Sequence, residues 1–192
     1  MYAIYEADPL AGDLHEIHEF HLRFAEICRE HVRLGRAQAF ALILTDEHEL
    51  VVGSMLQDKR SLEALNDHSG DRMTVFFLDA DTSPRNYSKF NKPLTDRLQL
   101  PDDLSLPCIV FFAVNSHEAR MIRAYRLRPE YHTILHEVCN AIDSYLSVVD
   151  KSSRNVSVPF HDFPKEAEAR RFIERMMRED YEPPGNPFRT KN

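Results

Sequence analysis

The sequence predicts an α/β protein: a central mixed sheet covered by helices on both faces, with one extra helix at the C-terminal end. Three observations carry this. Short apolar runs (Ala37–Thr45, Met73–Asp79, Leu106–Val114) alternate with segments of helical period. Those runs are largely continuous in apolar residues rather than apolar at every second one, the pattern of strands buried on both faces. The turn between Val114 and Ala119 is too short for a crossover and permits only an antiparallel pair there.

Tyr2–Glu6 reads as a short first strand, broken by Asp8-Pro9 and Gly12-Asp13. Asp13 is placed to cap a helix. From it Leu14, Ile17, Phe20, Phe24, Ile27, Cys28 and Val32 recur at spacings of three and four, and Gly35 stands where a C-cap belongs. Ala37–Thr45 (AQAFALILT) is a buried strand. Leu50–Leu56, apolar and holding Gly53, reads as a hairpin partner or a loop, and Asp58–Asn66 as a short helix. Met73–Asp79 (MTVFFLD) is the clearest strand, β-branched and aromatic. Phe90–Leu100 reads as a helix with an early proline, Leu106–Val114 as a strand and Ala119–Leu127 as its partner. Arg128-Pro129-Glu130 opens a long helix through about Val149, with Tyr131, Ile134, Leu135, Val138, Ile142, Tyr145 and Val149 on one face. Lys151–Val158 is a polar linker. Asp162 is expected to cap a last amphipathic helix from Pro164 to about Asp180, with Phe172, Ile173, Met176 and Met177 as its stripe. These readings divide the chain into an α/β domain over 1–150, a linker and helix over 151–181 that packs on the domain or on a partner, and a flexible tail over 182–192.

Composition excludes several functions. The chain has 24 Lys+Arg against 31 Asp+Glu, a net charge of −7, so nothing global draws it to nucleic acid or an anionic membrane. Five glycines stand far apart in 192 residues. Both the Walker A loop and G-x-G-x-x-G need clustered glycines to bring backbone amides onto phosphate, so neither is present. Gly53-Ser54 is no nucleophile elbow, since G-x-S-x-G is absent. Apolar residues at 43% are ample for a core. No apolar stretch approaches the roughly 18 residues of a membrane span, and the N-terminus lacks the basic and apolar regions of a signal peptide. Cys28, Cys108 and Cys139 form no C-x-x-C pair, which leaves neither a zinc ribbon nor a dithiol. The expectation is a cytoplasmic protein with reduced, largely buried thiols and no cofactor.

Over Tyr2–Val149 the order of elements resembles the thioredoxin-like superfamily. The most specific feature is Leu106-Pro107-Cys108-Ile109-Val110-Phe111-Phe112. In that family a cis-proline opens the strand before the last hairpin, and Pro107 is the counterpart. The departure is equally plain. The family's C-x-x-C follows its second strand at the start of a helix, and the matching stretch from Asp46 to about Lys59 holds no cysteine. The resemblance therefore implies a redox-inactive module that binds a protein or peptide partner. Leu106, Pro107 and Cys108 form part of its contact surface, with the loop from Asp46 to Leu56 and the C-terminal helix as further candidates. Homodimerisation stays open, and nucleic acid and membrane are disfavoured.

Two rival chemistries remain. Cys108 alone could serve a thiol- or glutathione-dependent enzyme, but a thiol becomes nucleophilic only beside a cation or a helix N-terminus. His132, His136, Cys139 and Asp143 stand at i, i+4, i+7 and i+11, on one helix stripe with metal-ligand spacing. The order H-x-x-x-H-E is not the metalloprotease H-E-x-x-H, and a stripe bordering the core explains it as well. His15, His18 and His21 step by three along the first helix and spread over a broad polar arc. Arg120, Arg123, Arg126 and Arg128 crowd the last strand, placed by the resemblance at a sheet edge, where charge opposes edge-to-edge aggregation; an acidic partner, a phosphate or RNA is the alternative, with Tyr125 the one interleaved aromatic. The final helix mixes Glu166, Glu168 and Glu174 with Arg170, Arg171, Arg175 and Arg178 around its stripe.

Overall fold

The apolar runs pair side by side at the centre of one sheet. The computed structural model describes residues 2–3, 13–35, 37–45, 49–77, 94–101, 103–115, 118–128, 130, 132–150 and 159–178, with the backbone alone at 2–3 and 13–23. In chain order the elements are β1 (Tyr2–Ala3), α1 (Asp13–Leu34), β2 (Ala39–Leu44), α2 (Leu50–Gln57), α3 (Lys59–Ser69) and β3 (Met73–Phe77). There follow β4 (Cys108–Asn115), β5 (Glu118–Arg126), α4 (Ile134–Val149), β6 (His161–Asp162) and α5 (Glu166–Met176). Residues 94–98 are also helical.

The sheet runs β1-β3-β2-β4-β5-β6. β1, β3 and β2 are parallel, and β4, β5 and β6 each run antiparallel to the strand before them in that order. Every residue of β2 and β3 is buried, as continuous apolar runs require when both faces are covered. Alternation along β4 feeds two cores. Val110, Phe112 and Val114 join Phe24, Phe40, Phe76, Leu98 and the α5 residues Phe172, Ile173 and Met176. Ile109 and Phe111 join Val52, Met55, Leu65, Val138, Ile142 and Tyr145 on the other face. The α5 stripe is thus covered by its own sheet. Among the described residues no helix is long and apolar enough to cross a membrane.

Four expectations need correction. Leu50–Leu56 is neither hairpin nor loop but helix α2. The Glu49 carboxylate accepts from Val51 N at 2.8 Å and Val52 N at 3.4 Å, and Val52, Met55 and Leu56 make one buried face. The long helix α4 begins at Ile134, six residues after the expected opening at Arg128. Asp162 does not cap the last helix. It lies in β6, where its carboxylate meets Arg123 Nε at 3.0 Å, and α5 starts at Glu166 with Glu166 and Glu168 in its first turn. For the same reason β5 is not the edge. β6 pairs with it at Arg123 and Ala124. The linker 151–158, the tail 182–192, the part of the Phe90–Leu100 helix before residue 94 and the side chains of His15, His18 and His21 lie outside the described residues.

β5 is irregular at its middle. Phe111 pairs with Arg123 and Ala113 with Arg120, so Met121 and Ile122 together oppose Phe112. Met121 has φ +54°, and its carbonyl accepts from the buried Tyr145 hydroxyl at 2.9 Å.

Two glycines are expected to respond oppositely to alanine. Gly35 closes α1 at φ +64°, where its N–H donates to Val32 O at 3.2 Å. Although space around it is open, Gly35→Ala is expected to cost about 1–2 kcal/mol through the left-handed backbone. Gly53 sits inside α2 with nothing near its added Cβ, so Gly53→Ala is expected to stabilise by about 0.5–1 kcal/mol. Urea unfolding of the two variants measures both signs.

Candidate functional site

The register gathers three chain ends at one end of the sheet. Leu44, last in β2, pairs with Cys108, first in β4, and Cys108 pairs with Arg126, last in β5. The end of β2, the approach to β4 and the exit from β5 therefore meet there.

The approach to β4 is built around a proline. The Leu106–Pro107 peptide bond is cis. Pro107 is buried and its carbonyl accepts from Leu127 N at 3.0 Å, which ties it to the exit of β5. Leu106 is half-buried, with its side chain against the core that holds Phe112. Its backbone N–H and C=O have no hydrogen-bond partner among the described residues. Leu50, in the first turn of α2, is 76% exposed, an uncommon position for a large aliphatic side chain in a helix.

Of the three residues expected on a contact surface, Leu106 alone presents a partly open side chain. Cys108 is a core residue with no exposure. Burial pushes its thiol up to about 12, so almost none is thiolate at neutral pH. Cys28 is buried as well and its thiol is raised by burial, against a lesser opposing pull from Arg29. Cys139 is half-buried, and its thiol is raised by burial and then by the Asp143 charge. An uncharged alkylating reagent is therefore expected to modify Cys139 first, and Cys28 and Cys108 only at the pace of unfolding. Intact-mass time courses with peptide mapping check this; early labelling of Cys108 in the folded protein contradicts it.

The His/Cys stripe has a different use. Asp143 lies 2.9 Å from His68 Nε2, and the same nitrogen is 3.1 Å from the Cys139 carbonyl. His68 belongs to α3, so this end of the stripe clips α3 to α4. His132 and His136 are exposed, and among the described residues no group of three or more His, Cys, Asp or Glu is placed to hold a metal ion.

The four arginines divide in two. Arg120 pairs with Glu118 at 2.8 Å and Arg123 with Asp162 at 3.0 Å. Arg126 and Arg128, at the Leu106 end, are exposed and make no ion pair among the described residues.

Sequence reasoning missed Glu137. Its Oε1 accepts from the Tyr125 hydroxyl at 2.8 Å, and both its oxygens accept from Arg128 N at 3.1 Å. Burial first, and the Glu137 bond second, push the Tyr125 hydroxyl up to about 12. This carboxylate fastens α4 to the exit of β5 and so fixes one wall of the site. A second buried polar pair, His31 Nδ1 with Thr74 Oγ1 at 2.6 Å, joins α1 to β3 and stands apart from this end. No family model, no curated protein and no solved structure matches the chain.

Proposed function

We propose that the chain is a redox-inactive, thioredoxin-like interaction module of the cytoplasm that docks an extended segment of a partner protein at the Leu106 end of its sheet. The observation that carries the docking is the main chain of Leu106, without a hydrogen-bond partner among the described residues, at the sheet end where β2 stops ahead of the 76% exposed Leu50. An extended segment supplies the missing N–H and C=O partners and covers the aliphatic side chain. The fold half of the reading is supported by the order of elements, by the antiparallel β4–β5 hairpin and by a cis-proline at the mouth of β4. β6 and α5 lie beyond the resembling part.

Redox inactivity is supported at the start of α2, where the resemblance puts a dithiol. Here Glu49 holds the first amides with its own carboxylate, and no cysteine is near in sequence. Cys108 offers no substitute, since its thiol is buried and protonated.

Two measurements test the proposal. Native mass spectrometry of freshly purified protein, with no thiol reagent or metal added, is expected to give the bare polypeptide mass. A photoreactive residue at position 50 is expected to transfer to a discrete polypeptide in cell extract, whereas one at the exposed Glu63 of α3 does not. A glutathione adduct at Cys108, or thiol–disulfide turnover that vanishes in Cys108→Ser, sinks the proposal in favour of a single-cysteine enzyme.

A further inference from the structure

The docking end carries a charge signature as well as an apolar one. Arg126 is the last residue of β5, directly across from Cys108, and Arg128 lies two residues further on. Leu127 between them is buried while both arginines are exposed, so the chain still alternates and turns both guanidiniums outward. Neither makes an ion pair among the described residues, in contrast to Arg120 and Arg123 on the same strand. The Glu137 carboxylate keeps its charge but makes no ion pair with either guanidinium among the described residues. Glu137 spends both oxygens on Arg128 N and the Tyr125 hydroxyl. Glu49 likewise turns its carboxylate into the amides of α2. A chain of net charge −7 thus shows two exposed arginines beside the main chain of Leu106 that make no ion pair among the described residues.

We propose that the segment taken at this end is acidic as well as apolar: an extended peptide whose large aliphatic side chains cover Leu50 and Leu106 while flanking carboxylates meet Arg126 and Arg128. This rests on the docking reading above. The apolar contact and the Leu106 main chain supply most of the affinity. The exposed arginines, well hydrated and screened by salt, choose among partners and speed their encounter.

Fluorescence anisotropy on the full chain tests it with three labelled peptides of one length. One sets two leucines among aspartates and glutamates, one sets the same leucines among lysines, and one sets them among serines. The acidic peptide is expected to bind tightest and to weaken as salt is raised. The Arg126→Glu/Arg128→Glu double variant is expected to lose roughly tenfold in affinity for the acidic peptide, the sum of two exposed pairs, and to gain for the lysine peptide. Leu50→Asp is expected to weaken all three. Thermal unfolding of each variant shows that the fold is kept, since all three positions are exposed.

Equal binding of the acidic and serine peptides overturns the charge inference and leaves the docking reading intact, provided Leu50→Asp weakens both. If no peptide binds and position 50 captures no polypeptide, the docking reading falls and this inference with it. Binding of a labelled single-stranded oligonucleotide that the double arginine variant abolishes, with no preference among peptides, assigns the arginines to nucleic acid and also overturns the inference.

Discussion

Replacing Phe112 with alanine is expected to destabilise the protein by about 3–5 kcal/mol, the range for a large aromatic removed from a rigid core. Phe112 is 1% exposed and belongs to a closed ring of four phenylalanines drawn from four elements. Its ring lies 5.3 Å from Phe40 of β2 and 6.1 Å from Phe24 of α1, and Phe76 of β3 closes the circuit at 6.2 Å from Phe40 and 4.8 Å from Phe24. Truncation removes two ring contacts, each worth about 0.5–1.5 kcal/mol beyond area. It also leaves a void that neighbours held on two other strands and a helix cannot collapse to fill. Against a total of about 5–15 kcal/mol for an ordinary domain, this is a large share. Urea unfolding is the measurement, with the midpoint falling and the slope unchanged. Phe112→Leu refills much of the volume and is expected to lose less than half as much. A Phe112→Ala loss under about 1 kcal/mol means that the site relaxes, which the close packing of cores does not allow. Phe111 points to the opposite face, where it stacks on Tyr145 at 4.8 Å.

The same four phenylalanines show why so much of the fold is legible in the sequence. Phe40, Phe76 and Phe112 each sit in a short apolar run holding β-branched and aromatic residues, the signal of a strand covered on both sides. Phe24 falls on a stripe of period 3.6. Apolar composition and period are local properties, and local properties can be read from a string. α2 fails this test because Val51, Val52 and Gly53 look like strand and breaker. What makes them helical is the Glu49 cap together with the distant residues that bury Val52, Met55 and Leu56. β6 fails for a related reason. Two polar residues, His161 and Asp162, carry no strand signal, and the pairing is fixed by Arg123 across the sheet. At the candidate site Leu106-Pro107 is a local signal and was found. The exposure of Leu50 was not, since an aliphatic residue in a helix is by default taken as core. Nor was the division of the arginines into those with and those without an ion pair among the described residues, which depends in part on β6 across the sheet.

Glu137 is the residue of this kind whose removal is expected to cost most. Glu137→Ala strips the acceptor from two donors at once, the nearly buried Tyr125 hydroxyl and the Arg128 amide. Donors that lose a charged partner cost about 1.5–3 kcal/mol, so a loss of about 2–3 kcal/mol is expected. Glu137→Gln keeps a neutral acceptor and is expected to lose about half of that. The alkaline limb of stability separates this bond from packing. An unfolded tyrosine gives up its proton near about 10, whereas Tyr125 in the folded chain holds it to about 12, through burial first and the Glu137 bond second. Above the unfolded value the native state binds the extra proton, so rising pH favours unfolding. The contribution of Tyr125 is therefore complete below about pH 10 and is lost as pH climbs toward 12. Tyr145 moves in the same direction through burial. In Glu137→Ala the burial of Tyr125 stays and the bond goes, so its ultraviolet titration is expected to shift partway down toward the unfolded value. Tyr125→Phe removes that step altogether and identifies it in the spectrum. A Tyr125 titration that does not move in Glu137→Ala means that burial alone sets it, and the carboxylate then does nothing more at this wall of the site than receive the Arg128 amide.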